Sequence, residues 1–244
     1  MMLLVDIGNT NIVYALYDGN NYILNKRMLP KNNLEYIMNE LSHYTINYVA
    51  IASVVPNITN QYLKQFKEKF NIEPFVVSYK NANIKLIVDS NKEVGPDRIC
   101  NVKAAIKKTD KNCIVIDFGT ATTYDVINDK KEFIGGAIAP GIQVSGTYLI
   151  EKAALLQNTA LEFPEKYIGK NTKTNIQSGI MYGALNSIEG MVKNIKKELN
   201  HKSDIILTGG FSQLISSKLS FQHKLEPNLT IEGIKLIFEE NLYG

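Results

Sequence analysis

Two short turns in the chain combine residue types that could bind the phosphates of a nucleotide. Residues 6–10 read Asp-Ile-Gly-Asn-Thr and follow one apolar run, and residues 117–120 read Asp-Phe-Gly-Thr and follow another. Glycine lets main-chain N–H groups come close to a phosphate, and successive N–H groups form an anion-binding concavity. The two aspartates can hold a cation such as Mg²⁺, which binds one or two carboxylates together with phosphate oxygens. Two such turns facing each other across a cleft would clamp a nucleoside triphosphate.

Either turn alone is also compatible with an ordinary hairpin. The two copies are matched, however, because each follows an apolar run and each has a hydroxyl-bearing residue after its glycine, Thr10 and Thr120. The pair therefore favours an ATP-dependent phosphotransferase over a coincidence of turn sequences.

A third glycine-rich segment, Thr-Gly-Gly at residues 208–210, follows a short apolar run and precedes a predicted helix. Gly209 and Gly210 would let a flat base or ribose lie on the backbone, and the start of a helix favours anions. The segment alone is equally compatible with a structural turn. Because it follows two phosphate-binding turns, it is interpreted as an adenosine contact.

Residues 95–98 read Gly-Pro-Asp-Arg and open an amphipathic helix. Aspartate and proline are common at helix starts for capping alone, so one interpretation is purely structural. In the other interpretation, Asp97 accepts a proton from a substrate hydroxyl while Arg98 holds an anionic group. The residues themselves leave both interpretations open.

The elements that must position these residues repeat once along the chain. Each half begins with an apolar run, an Asp-x-Gly turn and a second run rich in β-branched and aromatic residues, which indicates strand, tight turn and strand. Helical and strand patterns then alternate, including a long helix over 176–199 and a final helix over 229–238. The chain is therefore predicted as an α/β duplication with lobes over residues 1–112 and 113–244, each a mixed sheet flanked by helices.

The predicted helix over 176–199 carries Gly179 and Gly183. Glycine inside a helix costs about 1 kcal/mol relative to alanine, so each needs a reason. Because they lie four residues apart they share a face, where they would permit close packing against another subunit or the other lobe.

Composition sets the class of protein. The 244 residues are 45% hydrophobic and 21% charged with a net charge of +3, which is ordinary for a soluble globular protein and too balanced for a nucleic-acid binder. Cys100 and Cys113 both lie in apolar runs and are expected to be reduced, buried thiols. The amino terminus has no basic leader, and no apolar run approaches membrane-spanning length. We therefore expect a cytoplasmic enzyme without nucleic-acid or membrane partners.

Taken together, these motifs resemble one family, the type III pantothenate kinases, and the similarity spans essentially the whole chain. The motifs that carry it are Asp-Ile-Gly-Asn-Thr-Asn at 6–11, Gly-Pro-Asp-Arg at 95–98, Asp-Phe-Gly-Thr-Ala-Thr-Thr at 117–123, Gly-Gly-x-x-x-Pro-Gly at 135–141 and Thr-Gly-Gly at 208–210. More broadly, the paired Asp-x-Gly turns are similar to those of the actin, hexokinase and Hsp70-like ATPases. The resemblance implies two ribonuclease H-like lobes with an interlobe cleft.

The resemblance also implies an activity, the transfer of the γ-phosphate of ATP to the terminal hydroxyl of pantothenate, the first step toward coenzyme A. Asp97 would be the general base, Asp117 would bind K⁺ or NH₄⁺, and Asp6 would hold Mg²⁺ directly or through water. The expected ATP contacts are Asp6, Ile7, Gly8, Asn9, Thr10, Asn11, Thr120, Gly209 and Gly210. The expected pantothenate contacts are Gly95, Pro96, Asp97, Arg98 and Thr172. The resemblance further implies an obligate homodimer.

One position departs from the family pattern. Val88 stands seven residues before Gly95, where the family often has a substrate-contacting tyrosine, so that contact is not carried over. Two other functions stay open: a kinase for a sugar or another small alcohol on the same fold, and a non-catalytic nucleotide-binding regulator. Arg98 favours an anionic substrate such as a carboxylate, and the presence of every motif aspartate favours an active enzyme.

Overall fold

The computed structural model describes residues 1–29, 34–152, 159–200 and 202–244. Their contacts divide the chain into two compact units. The first unit comprises residues 1–108 and 228–244, and the second comprises residues 109–227. The sequence-based boundary between residues 112 and 113 differs from this division chiefly in the last stretch of chain, which packs with the first unit.

The sheet of the first unit is built around the strand that ends in the first Asp-x-Gly turn. Its strands are β1 (Met2–Ile7), β2 (Ile12–Tyr17), β3 (Tyr22–Met28), β4 (Tyr48–Ser53) and β5 (Phe75–Val76). They lie in the order β3-β2-β1-β4-β5, so that β1 is central, antiparallel to β2 and parallel to β4. Because β1 has a neighbour on both sides and is buried on both faces over most of its length, its end is held rigidly.

The sheet of the second unit repeats this arrangement around the strand that ends in the second turn. Its strands are β6 (Asn112–Phe118), β7 (Ala121–Ile127), β8 (Phe133–Pro140), β9 (Ser203–Gly209) and β10 (Lys224–Leu225). They lie in the order β10-β9-β6-β7-β8. Strand β6 is antiparallel to β7 and parallel to β9, as β1 is to β2 and β4. The predicted duplication of a mixed sheet is confirmed.

Helices cover the sheets, and each unit has its own apolar core. The described helices are α1 (Leu34–Leu41), α2 (Pro56–Phe70), α3 (Pro96–Lys108), α4 (Ile142–Lys152), α5 (Thr172–Gln177), α6 (Gly183–Leu199), α7 (Ser212–Ser216) and α8 (Leu229–Tyr243). In the first unit Ile37 of α1 and Phe66 of α2 join one apolar cluster with β1, β2 and β4. In the second unit Leu185 and Ile188 of α6 join another with β6 and β9. Burial of these amphipathic faces holds each sheet and its helices together.

Two helical features differ from the sequence-based prediction. The sequence does not predict α4, because its residues include Gly146 and several β-branched positions that weaken the helical pattern. The predicted helix over 176–199 begins earlier and consists of α5, a π-helical segment at Ser178–Tyr182 and α6. A π-helical turn holds more residues than an α-helical turn, and the apolar spacing of the sequence does not reveal it.

Cys100 and Cys113 are both buried, free thiols, as the sequence predicts. Burial raises the pKa of Cys113 to about 12, so that its thiol stays protonated. None of the described helices is both long and apolar enough to cross a membrane.

Candidate active site

The first Asp-x-Gly turn projects from the end of the central strand β1. Asp6 is the penultimate residue of β1, is half-buried, and lies opposite Val13 on one side and Ala52 on the other. The turn that follows is closed by a 2.9 Å hydrogen bond from the Gly8 N–H to the Asn11 carbonyl. Its tip, residues 9–10, is exposed. A fixed carboxylate beside an exposed tight turn is the arrangement expected of a phosphate site.

The second turn occupies the equivalent position in the other unit. Asp117 is the penultimate residue of β6, is half-buried, and lies opposite Thr123 and Thr208. The Gly119 N–H donates to the Ala121 carbonyl at 3.0 Å, and Thr120 is exposed at the tip. The two aspartates thus end topologically equivalent strands.

The Thr-Gly-Gly segment lies directly against the second turn. Gly209 has a φ of +88°, and a Cβ built there would lie 2.5 Å from the Phe118 nitrogen and would also overlap Asp117 Oδ1. The Gly210 N–H donates to the Phe118 carbonyl at 2.9 Å. Only glycine satisfies both the backbone angle and the close approach. The structure therefore brings two separately predicted motifs of the second unit into one site.

Gly141 is a member of this site to which the sequence assigns no role. Its N–H donates to the Thr120 carbonyl at 3.0 Å, and a Cβ built on it would lie 2.8 Å from the Thr120 carbonyl carbon. The same Cβ would overlap the Gly119 carbonyl oxygen. Gly141 thus packs against the second Asp-x-Gly turn and holds it in place. The Pro-Gly pair at the end of β8 is the sequence signal that could have identified this residue.

Asp97 lies in the first turn of α3. Pro96 is the first residue of the helix, and the Ile99 N–H donates to the Gly95 carbonyl at 3.0 Å. The Arg98 N–H donates to Asp97 Oδ1 at 2.8 Å. The Asp97 side chain therefore satisfies one of the free N–H groups of the first helical turn, which supports the structural interpretation. Proline suits a position that lacks a hydrogen-bond acceptor.

The environment of Asp97 goes beyond that of a cap. Burial raises the pKa of the Asp97 carboxyl above its usual value, while the Arg98 N–H and the Arg98 charge act to lower it. A helix-capping carboxylate in water would instead have a lowered pKa, since hydrogen bonds favour its charged form. A half-buried carboxylate with a raised pKa is typical of a general base.

The first unit brings Asp97 to the same end of its sheet as Asp6. A Cβ built on Gly95 would lie 3.6 Å from Val54 Cγ1, and the Val54 N–H donates to the Ile7 carbonyl at 3.1 Å. The thiol of Cys100, one turn further along α3, provides an independent indication. Its pKa is raised well above its usual value by burial and by the negative charges of Asp6 and Asp97.

Thr172 is the first residue of α5 in the second unit and is exposed. The helix begins with a capping box in which Asn171 Oδ1 accepts from the Thr174 N–H at 2.9 Å. The Thr172 hydroxyl is therefore not needed for the cap. Its contact with pantothenate stays a prediction.

The carboxylates of the two turns suit cations that take most of their ligands from elsewhere. Within the described residues, no group of three or more His, Cys, Asp or Glu side chains could hold a metal ion. Mg²⁺ in nucleotide sites needs only one or two carboxylates, since phosphates and waters complete its shell. Asp6, half-buried beside a phosphate turn, fits that requirement. The Asp117 carboxylate offers the oxygen ligand that a monovalent cation prefers.

Comparison with known sequences identifies one family. A family model described as type III pantothenate kinase matches residues 2–194. A protein of that name from Moorella thermoacetica is 34% identical over 253 residues, which cover 99% of this chain and 100% of that protein. Another of the same name from an Exiguobacterium species is 37% identical over 253 residues, which cover 99% of each.

Comparison with solved structures concerns the fold alone, because the identities are low. A crystal structure named as a conserved Baf family transcriptional activator from Campylobacter jejuni has a TM-score of 0.66 and 20% identity, covering 98% of each chain. MreB5 of Spiroplasma citri bound to ADP has a TM-score of 0.52 and 12% identity, covering 99% of this chain and 96% of that one. The predicted actin-like ATPase fold is confirmed.

Proposed function

Because the chain belongs to the type III pantothenate kinase family, we propose that it transfers the γ-phosphate of ATP to pantothenate with Asp97 as the general base. The reaction serves coenzyme A biosynthesis. The observation that carries the base assignment is the half-buried Asp97 carboxylate at the start of α3, at the same end of the first unit as Asp6.

The first unit would supply the base and part of the phosphate site. Asp97 would accept the proton of the terminal hydroxyl of pantothenate, and its raised pKa makes it a stronger base than an ordinary aspartate. Arg98, whose guanidinium is always charged, would hold the pantothenate carboxylate. The N–H groups of the turn at residues 8–11 would bind ATP phosphates. Asp6 would hold Mg²⁺, which when bound neutralises charge on the phosphate oxygens.

The second unit would supply the remaining ATP contacts. Thr120, at the exposed tip of the second turn, would donate its hydroxyl to ATP. Gly209 and Gly210, which have no side chains of their own, would lie under adenosine. Asp117 would bind K⁺ or NH₄⁺, and Thr172 would contact pantothenate.

We also propose that the chain forms a homodimer through the face that carries Gly179 and Gly183. Apart from the chain neighbours and the backbone of their own helix, no described atom lies within 4 Å of a Cβ built on either glycine, so neither is required for packing against another described element. Two glycines that destabilise a helix without an internal packing role support a surface kept flat for a second copy.

A coupled ADP-release assay with the purified chain tests the proposed reaction. Pantothenate should support turnover, whereas glucose and glycerol at equal concentration should not. Turnover with a sugar but not with pantothenate would instead support the alternative kinase. ATP binding without turnover on any acceptor would support a nucleotide-binding regulator.

The same assay tests the monovalent cation. Replacing K⁺ by Na⁺ should lower kcat, and Asp117→Asn should remove the difference between the two ions. Full activity with Na⁺ as the only monovalent cation would contradict the role given to Asp117.

A further inference from the structure

A cavity of about 940 Å³ opens in the second unit, and we call it the basic cavity. It lies where β9 and β10 begin, beside the last turns of α6. Its lining residues are Lys111, Lys196, Lys202, Ser203, Asp204, Ile205, Phe221, Gln222, His223 and Lys224. Its volume falls in the range of about 300–1,000 Å³ that small-molecule sites occupy.

Charge is concentrated in this lining. Four lysines face one carboxylate, that of Asp204, which already accepts a hydrogen bond from the Thr109 hydroxyl at 2.5 Å. The excess of three positive charges equals the net charge of the whole chain, +3, so the rest of the molecule is balanced. A concave surface with charges of one sign focuses the field and attracts counter-ions.

Most of these lysines are not neutralised within the protein. Among the described residues, no carboxylate lies within 4.0 Å of the ammonium groups of Lys111, Lys196 and Lys202. In contrast, Lys103 pairs with Glu240, and Lys108 lies 2.9 Å from Glu232. Lys111, Lys196 and Lys202 therefore keep their donors and charges for something other than an internal ion pair.

The wall of the basic cavity is held in place by contacts of its own. Both ring nitrogens of His223 are engaged, Nδ1 with the Phe221 carbonyl at 2.8 Å and Nε2 with the Ser216 hydroxyl at 2.7 Å. The Lys196 ammonium lies 5.8 Å from the centre of the Phe221 ring, a cation–π distance. A fixed imidazole and a fixed aromatic ring shape the cavity before any ligand arrives.

The basic cavity and the second Asp-x-Gly turn lie at opposite ends of the strands of the same sheet. Asp117 and Gly209 are at the carboxyl ends of β6 and β9, whereas Lys111 and Lys202 immediately precede their amino ends. At about 3.3 Å per residue, the length of β6 separates the two ends by roughly 20 Å. A ligand here would not touch the second Asp-x-Gly turn.

We propose that the basic cavity binds a small molecule that carries two or more phosphate groups. Ammonium groups are strong phosphate binders, and several are needed to match a pyrophosphate-like charge. The limited volume and the four lysines grouped around it favour a small molecule over an extended polyanion, which would need a continuous basic surface. This site goes beyond the proposed kinase reaction and does not depend on it.

The test follows the imidazole of His223, because that ring lines the cavity. Histidine ring signals of the full chain, labelled with ¹³C, are recorded while pyrophosphate is added, and His223→Gln identifies the relevant signal. We expect a saturable shift of that signal, with pyrophosphate binding more tightly than inorganic phosphate. The pair K111A/K202A, and separately Lys196→Ala, should each weaken pyrophosphate binding by at least about tenfold.

A matched control uses K130A/K166A, which removes two exposed lysines of the same unit outside the cavity. This variant should bind pyrophosphate as the wild type does, and K111A/K202A should keep the wild-type kcat with pantothenate. The proposal is overturned if the His223 signal does not move at about 10 mM pyrophosphate, far above ordinary ligand levels. Equal weakening by both lysine pairs, or tighter binding of a short RNA than of pyrophosphate, would also overturn it.

Discussion

At the scale of single residues, Asp97 meets two opposed requirements. Its carboxylate accepts the Arg98 N–H at 2.8 Å and so caps α3, which favours the charged form. Burial favours the neutral form and prevails, because the pKa of the carboxyl is raised. A general base must be deprotonated to act, so the active enzyme carries a negative charge on Asp97 although burial of that charge destabilises the fold.

Replacing the Asp97 carboxylate by a neutral amide should change catalysis and stability in opposite directions. Asp97→Asn keeps an oxygen that can accept the Arg98 N–H but cannot take a proton, so kcat should fall by about 10²-fold or more while ATP binding survives. A group whose folded pKa is raised destabilises the protein once it ionises, so the variant should melt higher at pH 7. Each kcal/mol corresponds to about 2–4 °C in a chain of this size.

Calorimetry at several pH values provides the control for this prediction. The melting difference between Asp97→Asn and wild type should vanish below the usual aspartate pKa of about 3.9, where the wild-type carboxyl is neutral in both states. Near-normal turnover in the variant would contradict the base assignment, whatever its melting temperature.

The raised pKa of Asp97 also predicts the acid side of the pH profile. As pH falls through that pKa the base becomes protonated, so kcat/KM should begin to fall above the usual aspartate pKa of about 3.9. Initial rates measured between about pH 4 and pH 9 with saturating ATP would reveal the midpoint. A profile that stays flat down to the usual value would argue against a buried base.

Gly209 leaves no room for a side chain at its position. Gly209→Ala adds a methyl group that would overlap Asp117 Oδ1 at a φ of +88°, so the carboxylate must move. Displacement of a catalytic group by about 1 Å can cost about 10²-fold in rate, and we expect a loss of that order in kcat/KM.

Gly135→Ala is the matched control for that substitution. Gly135 lies in the same unit with a φ of +114°, yet in the described part of the chain no atom beyond its neighbours lies within 4 Å of its Cβ position. It therefore shares the backbone strain, about 1–2 kcal/mol, without the overlap. Similar activity losses in both variants would attribute the effect at position 209 to strain rather than to contact with Asp117.

At the scale of elements, α8 supports the helix that carries Asp97. The Thr230 hydroxyl donates to the buried Asn101 side chain at 2.8 Å, and Lys103 donates to both Glu240 and the Ala82 carbonyl. Gly233 permits the closest approach, since a Cβ there would lie 2.7 Å from Cys100 Cα. The match to the family model ends at residue 194, so this support lies beyond the matched part of the chain.

Gly233→Ala tests that support. The methyl group would force α8 away from α3, and overpacking of this kind typically costs about 1–3 kcal/mol. Since α3 positions Asp97, kcat should fall as well, while ATP affinity changes less. Thermal melting and steady-state kinetics at a permissive temperature would measure the two effects.

The control for this element is Gly190→Ala. Gly190 also lies inside a helix, α6, but outside that helix's own backbone none of the described atoms lies within 4 Å of its Cβ position. Alanine there should stabilise the protein by about 1 kcal/mol through helix propensity alone. If both variants respond alike, the contact between Gly233 and Cys100 has no special role.

Structural features that depend on neighbouring residues can be predicted from the sequence, whereas contacts between residues far apart in the sequence cannot. The strand-turn-strand units ending at Asp6 and Asp117 are predicted because apolar runs and glycine turns are local signals. The contact of Gly209 with Asp117 depends on the register of β6 against β9, strands separated by most of the second unit. The packing of Gly233 on Cys100 likewise has no local signature beyond a glycine within a helical pattern.

At the scale of the whole molecule, the proposed dimer is the property most open to direct test. Light scattering at micromolar concentration should give twice the mass of the chain. Gly183→Leu should keep the wild-type circular dichroism spectrum, because the position is open, yet produce a monomer. That monomer should melt below the wild-type dimer, since association stabilises the folded state. A monomeric wild type would refute the proposed dimer. A dimeric Gly183→Leu variant would show that the interface does not include Gly183.

The membership of α8 in the first unit has a consequence for synthesis on the ribosome. The second unit is contiguous and can complete its contacts while the chain is still growing, but the first unit lacks its last helix until residues 229–243 have been synthesised. At about 5–20 residues per second, α3 waits on the order of ten seconds before α8 covers it. During that interval Cys100 lacks its contact with Gly233, so the unit that is synthesised first is the unit that is completed last.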